Sequence, residues 1–320
     1  MTERFRSGLV VFGSAAAALL LAGAGAPSGQ GAAPPPPRNV TAETRANPNA
    51  LRALERPGRM LFEDGFESRE SLSRYFEIQG LDERRAALET RPGMARGGQG
   101  AIRFTAPARE GRESAAGAAG WLGPEGHDCV YFRRCIRFAP DYDQGDLHHV
   151  GGGLAAVAGA DRYRAMGSAG IKPRGDDHFN SSLEPWRDWG KYPPPGYLFL
   201  YTYWMDMVRD PDGHYWGNML GPTEKERVPL QRGRWYCLEQ MIRANDPGKA
   251  NGEAAAWLDG KLILHFTGLR WRTSPEVRIK RFTFGVYVHQ ARRNNTVWYD
   301  DLALSTGYIG PPRGFRGGPG

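Results

Sequence analysis

Residues 281–290, RFTFGVYVHQ, separate by parity. Phe282, Phe284, Val286 and Val288 fall on one side of an extended chain, and Thr283, Gly285, Tyr287 and His289 on the other, since successive strand side chains point to opposite faces. The first set reads as a core face. The second carries a phenol and an imidazole two residues apart, with Gln290 just beyond. The same alternation recurs in CVYFRRCIRFAP, where Val130, Phe132, Ile136 and Phe138 oppose Tyr131, Arg133 and Arg137. In YLFLYTYWMDM, Tyr197, Phe199, Tyr201 and Tyr203 oppose Leu198, Leu200 and Trp204. Further strands are predicted in MLFEDGFES, AIRFTA and RWYCLEQMIRAN. Asp259-Gly260, between the apolar runs of AAAWLDGKLILHF, signals a two-residue hairpin, whose turn requires positive φ. The one helix suggested is short, near Ser68–Phe76. Many strands, turn residues between them and little helix predict an all-β sandwich or barrel.

The first 26 residues change the picture of where this domain works. Arg4 and Arg6 precede an apolar run from about Leu9 to Leu21 and then Ala24-Gly25-Ala26, the pattern of a secretory signal peptide. The run is short for a membrane span and no second one follows, so a secreted or periplasmic protein without a membrane anchor is expected. Residues 27–58 contain a Pro run and read as a disordered linker; residues 59–310 form one domain without an internal repeat; residues 311–320 read as a disordered Gly/Pro/Arg tail. The chain carries a formal charge of +7, which becomes +6 once Glu3, Arg4 and Arg6 are removed with the leader. A basic exported protein suits an anionic partner. The basic residues are scattered and form no nucleic-acid motif, so no nucleic acid is expected. A monomer is the expectation.

Cys129 and Cys135 lie on one strand six residues apart, about 20 Å at strand rise, too far to bridge. Either could pair with Cys237 if their strands are neighbours, and three buried thiols is an equal alternative. The spacing fits no zinc site.

Several stretches, in order, resemble a known family. LFEDGFES resembles the opening strand of concanavalin A-like jelly rolls. RWYCLEQMIRANDPGKANGEAAAWLDGKLI is similar to the late hairpin of secreted polysaccharide lyases of families 14 and 20, and VWYDDLALSTGYIGP to their closing strand. The resemblance spans roughly residues 60–310. It implies a concanavalin A-like β-jelly-roll sandwich of two antiparallel sheets, a polysaccharide bound along a concave sheet, and β-elimination of a uronate chain. That chemistry needs a group to neutralise the sugar carboxylate, a base for the C5 proton and an acid for the leaving oxygen. A related lyase family ends in a strand Tyr-x-Lys-x-Gly-x-Tyr-x-Gln. Gly285 and Tyr287 match it, Thr283 stands at its Lys, His289 at its Gln, and Gln290 one residue later. The family 14 turn Lys-Leu-Pro-Gly-Leu resembles DLHHVGG, with Asp146 at the Lys and His148 at the Pro. Its Ser-x-Arg run falls near FNSSLEPW, which has no Arg before Arg187, while its Tyr-x-Tyr pair matches Tyr201 and Tyr203.

The catalytic candidates are therefore Tyr287, His289, Tyr201, His148 and Arg133, the last as a neutraliser from a neighbouring strand. The substrate-binding candidates are Tyr203, Gln290, Tyr131, Arg137, His149 and Trp186. Each has a plainer alternative. Tyr287 and His289 could be solvated or cross-strand packing residues, and Tyr201 and Tyr203 simple packing aromatics. Trp186, Trp189, Tyr192 and Tyr197 could anchor the PPPG loop instead of stacking on sugars. His148 and His149 in a glycine-rich loop could approach a ligand closely, but they lack a third metal ligand at suitable spacing. No cofactor is expected. Glu63, Asp64, Asp300 and Asp301 are the weak candidates for a structural calcium, with a solvated acidic edge as the alternative. Hydrolysis requires a separated carboxylate pair, and Glu239 stands alone, on the strand face of Trp235 and Cys237. The competing function is a glycan-binding module without catalysis on the same fold.

Overall fold

A computed structural model describes residues 37–315. The expected signal peptide, the first three prolines of the Pro run and the end of the tail lie outside the described residues. In chain order the strands are β1 (Arg38–Asn39), β2 (Met60–Asp64), β3 (Glu77–Gln79), β4 (Ala86–Glu89), β5 (Ala101–Ala106), β6 (Ser114–Trp121), β7 (Cys129–Phe138), β8 (His148–Val150), β9 (Gly153–Val157), β10 (His178–Trp186), β11 (Gly196–Tyr203), β12 (Asn218–Leu220), β13 (Pro229–Leu230), β14 (Trp235–Arg243), β15 (Gly252–Leu258), β16 (Lys261–Leu269), β17 (Arg278–Val288) and β18 (Asn295–Ser305).

They form two antiparallel sheets of nine strands each. The first runs β1-β16-β15-β14-β7-β18-β5-β4, with β2 also on β18. The second runs β12-β11-β10-β9-β17-β6-β3, with β13 on β11 and β8 on β17. The expected jelly-roll sandwich is what the chain adopts. Parity explains the packing: Phe282, Phe284, Val286 and Val288 of β17 meet Phe132, Ile136 and Phe138 of β7 and Leu198 and Leu200 of β11 in one buried core. The Asp259-Gly260 turn has φ values of 52° and 83°, as a two-residue hairpin demands. A 3-10 helix over Arg69–Arg74, capped by Ser68, occupies the expected helical position.

The segment read as a linker departs from that reading over its described part. β1 pairs with β16, and two short helices follow, α1 (Thr41–Ala46) and α2 (Pro48–Leu54). Asn47 caps α2 by accepting from the Asn49 and Ala50 amides. The physical reason for order is what the helices cover: Leu54 joins Tyr131, Met241, Trp257 and Leu262 in a second buried cluster on the outer side of the first sheet. Burying each such large side chain contributes about 1.5–3 kcal/mol. Tyr131 Oη also donates to the Leu54 carbonyl at 2.6 Å. The Pro-rich composition upstream masked a capping Asn-Pro signal.

One side chain ties the sheets together. Arg134 of β7 points into the sandwich, is fully buried, and donates to the carbonyls of Gly151, Gly152 and Leu183 in the second sheet at 2.6–2.9 Å. Burial lowers its pKa to about 10, which leaves it charged at neutral pH. Tyr299 assists by accepting from the Gly151 amide and donating to the Gly285 carbonyl.

Candidate active site

The second sheet's outer face gathers the candidate chemistry. Directly paired residues of antiparallel strands share a face. Tyr287 of β17 pairs with His149 of β8, and Ser182 of β10 pairs with Tyr201 of β11. His149 is the centre. Its ring centroid lies 5.0 Å from Tyr201, 5.9 Å from Tyr287 and 5.5 Å from His289, and Tyr287 and His289 lie 4.8 Å apart. Tyr203 extends the row, 5.7 Å from Tyr201. Trp186 lies two residues beyond Glu184 on β10, against Phe199 and Tyr197.

Behind His149 stands Glu184, which the sequence reading passed over. His149 Nδ1 is 3.1 and 3.2 Å from its two carboxylate oxygens. The Glu184 side chain is 3% exposed against 19% for His149, so the imidazole caps a buried carboxylate and faces outward. Burial raises the pKa of Glu184, and the neighbouring His149 opposes that rise. The available signal was the alternation of HFNSSLEPW, which places Ser182, Glu184 and Trp186 on one face. Tyr201 is pushed well above the ordinary phenol pKa by burial and by the adjacent Tyr203, so it holds its proton.

Other candidates lie elsewhere. His148, offered as catalytic, points the opposite way from His149: it pairs with Val288, an inward residue, and is 7% exposed. Burial, followed by the nearby His149, lowers its pKa to about 3, so it is neutral and a poor base. The expected glycine-rich loop here is two short strands, β8 and β9, joined by Gly151 and Gly152 at φ of 112° and 102°. A Cβ on Gly152 would sit 2.2 Å from the Thr283 carbonyl, so the close approach requires glycine. Arg133, Arg137 and Tyr131 belong to the first sheet, on its outer face, across the sandwich from His149. The strand's period of two fixes this, because Phe132 and Ile136 point inward. Arg133 donates instead to the Asp301 and Gly310 carbonyls. Gln290 is exposed and lines a polar cleft of about 390 Å³ with Glu110, Gly111 and Arg292, next along the chain from His289.

The acidic quartet is divided by its partners. Asp64 accepts from the Phe66 amide, Ser71 and Tyr75. Asp300 accepts from the Arg96, Gly97 and Asp301 amides, and burial raises its pKa to about 7. Asp301 pairs with Arg96, and Glu63 is exposed. Among the described residues no group of three or more His, Cys, Asp or Glu side chains is placed to hold a metal ion. Among them, too, no helix is long and apolar enough to cross a membrane.

Two antiparallel sheets, with imidazoles and phenols drawn together on one outer face, define a jelly roll of the polysaccharide lyase class. The sequence pattern of polysaccharide lyase 14 matches residues 126–288, and the chain belongs to that family. Its fold is similar to that of a marine alginate lyase of the same family from Aplysia kurodai, at 15% identity and a TM-score of 0.58, covering 79% of this chain and 99% of that one. Alginate lyase Aly36B gives 18% identity and a TM-score of 0.53 over 79% of this chain and 96% of its own. A substituted form of that enzyme has been solved in complex with an alginate tetrasaccharide. An endo-β-1,4-glucuronan lyase from Trichoderma reesei gives 13% identity and a TM-score of 0.50, covering 77% and 95%. No curated protein matches the chain significantly.

Proposed function

We propose that this protein is an exported lyase that cleaves a uronate-containing polysaccharide by β-elimination at the His149 cluster. The observation carrying the reading is the convergence of His149, His289, Tyr201 and Tyr287 with a buried carboxylate behind the central imidazole. In this reading His149, oriented by Glu184, takes the C5 proton. Tyr201, kept protonated by burial, delivers a proton to the departing glycosidic oxygen. His289, half-buried beside them, faces the sugar carboxylate, and Tyr287 packs against both imidazoles. Trp186, half-buried, offers a flat surface to a neighbouring sugar, while Tyr203, 7% exposed, backs Tyr201. The basic chain and its leader-like first 26 residues support an anionic substrate met outside the cytoplasm. The alginate and glucuronan named for relatives identify the polymers to try first.

The test is ultraviolet absorbance of the unsaturated uronate product on alginate and glucuronan. Wild-type protein should generate it, and Tyr201→Phe should lower kcat roughly 10²–10⁴-fold with the fold intact. Flat absorbance on every uronate polymer would defeat the proposal. One observation favours a second reading, glycan binding without cleavage: Arg133, expected to neutralise the substrate carboxylate, lies on the other sheet. Glycan-array binding with no product would select it.

A further inference from the structure

Cys135 of β7 and Cys237 of β14 stand directly opposite each other in register. The hydrogen-bond direction says which kind of opposition this is. Cys237 donates its amide to Asp259 Oδ1 at 2.8 Å and accepts the Asp259 amide at its carbonyl at 2.8 Å. Both of its backbone groups therefore point away from β7. The Cys135–Cys237 pair occupies a non-hydrogen-bonded site, where antiparallel strands bring Cα atoms to about 4.5 Å, inside the range a disulfide spans. Cys129 has no such route. It pairs with Arg243, six residues along β14 from Cys237, or about 20 Å at strand rise, and it stands equally far from Cys135. Of the three possible pairings, the register permits one.

We infer that Cys135 and Cys237 are a covalent cross-link site, closed as a disulfide when the chain folds in an oxidising compartment, with Cys129 left as the free thiol. The oxidant is a disulfide, either a small one such as oxidised glutathione or that of a thiol oxidase. One cysteine thiolate attacks it, releasing one thiol. The second cysteine then attacks the mixed disulfide, releasing the other. Two protons and two electrons leave the cysteines, and the oxidant becomes two thiols. Timing follows from burial: Cys135 and Cys237 are 0% and 2% exposed, and burial raises the Cys135 thiol pKa. A chain already folded and reduced therefore reacts slowly, and the bond forms on the way to the fold. It would bridge the two central strands β7 and β14 on the outer face of the first sheet, away from the His149 cluster, so the inference stands whatever that cluster does.

The experiment refolds the full chain with a glutathione redox pair and, separately, with excess reductant, then counts thiols after denaturation and maps peptides without reduction. The expected result is one titratable thiol after oxidative refolding and three after reductive refolding, with the Cys135 and Cys237 peptides joined. Cys129→Ala should show none and two, and the oxidised protein should melt at higher temperature than the reduced one. Three thiols under both conditions, or a cross-link that includes Cys129, would overturn the inference. Should a Cys135→Ser variant fail to fold, the Cys129→Ala count still decides the matter.

Discussion

His148 and His149 are sequence neighbours with opposite fates, because a strand turns one into the core and the other onto the outer face. His148 has a folded pKa of about 3 against an ordinary 6.5. Between those values the unfolded chain binds a proton that the folded chain refuses, so stability falls as pH falls through this window. The slope is about 1.4 kcal/mol per pH unit. Urea unfolding at pH 6.5 and pH 4.5 should show His148→Leu losing clearly less stability on acidification than wild type. Equal losses would mean His148 titrates normally. Glu184 makes the second residue-scale case. Glu184→Gln preserves shape but removes the charge behind His149, and kcat on a polyuronate should fall by about 10²-fold. Circular dichroism should remain that of the wild type, and a KM that changes little would separate orientation of the imidazole from substrate binding. The sequence displayed Tyr287, His289 and the Tyr201–Tyr203 row plainly, since alternation alone assigns their face. It hid the pairing of His149 with Glu184, because a contact between residues 35 apart depends on strand order, which periodicity does not encode.

At the scale of elements, β7 is the strand that the sequence pattern predicts, but it lies in the first sheet, away from the His149 cluster. Its parity was legible: Arg133 and Arg137 on one face, Phe132 and Ile136 on the other. Its sheet was not, and the outer faces of two sheets in a sandwich look identical in sequence. Arg134 was the informative residue in that strand. A charged side chain at an apolar position is costly to bury unless every donor finds an acceptor, and here the acceptors are carbonyls around Gly151–Gly152. Arg134→Met should strand those carbonyls and lower unfolding free energy by about 3 kcal/mol or more. Equilibrium denaturation gives the number, and hydrogen exchange should show the β8–β9 segment opening first. Arg134→Lys should recover little, since an ammonium cannot reproduce the planar fork.

For the whole molecule, the fold class and the late hairpin could be read from pattern and resemblance, whereas the helical cover of residues 41–54 could not. Its apolar residues are few, and they matter only because Tyr131 and Trp257 await them on a distant surface. Charge acts at the same scale. If the substrate is polyanionic, the excess of Lys and Arg gives a long-range attraction that salt screens. Raising ionic strength from about 0.05 to 0.5 M should then raise KM on a uronate polymer while leaving kcat nearly unchanged. A KM indifferent to salt would count against electrostatic recruitment.

The first and last described strands belong to the same sheet. β1 lies at the edge of the first sheet, and β18, in that sheet too, leads to Gly310, whose amide is held by Glu239 and whose carbonyl is held by Arg133. The His149 cluster belongs to the other sheet. A carrier joined close to β1 or just past Gly310 would attach to the first sheet, leaving the proposed catalytic face on the second sheet free to meet an incoming polymer.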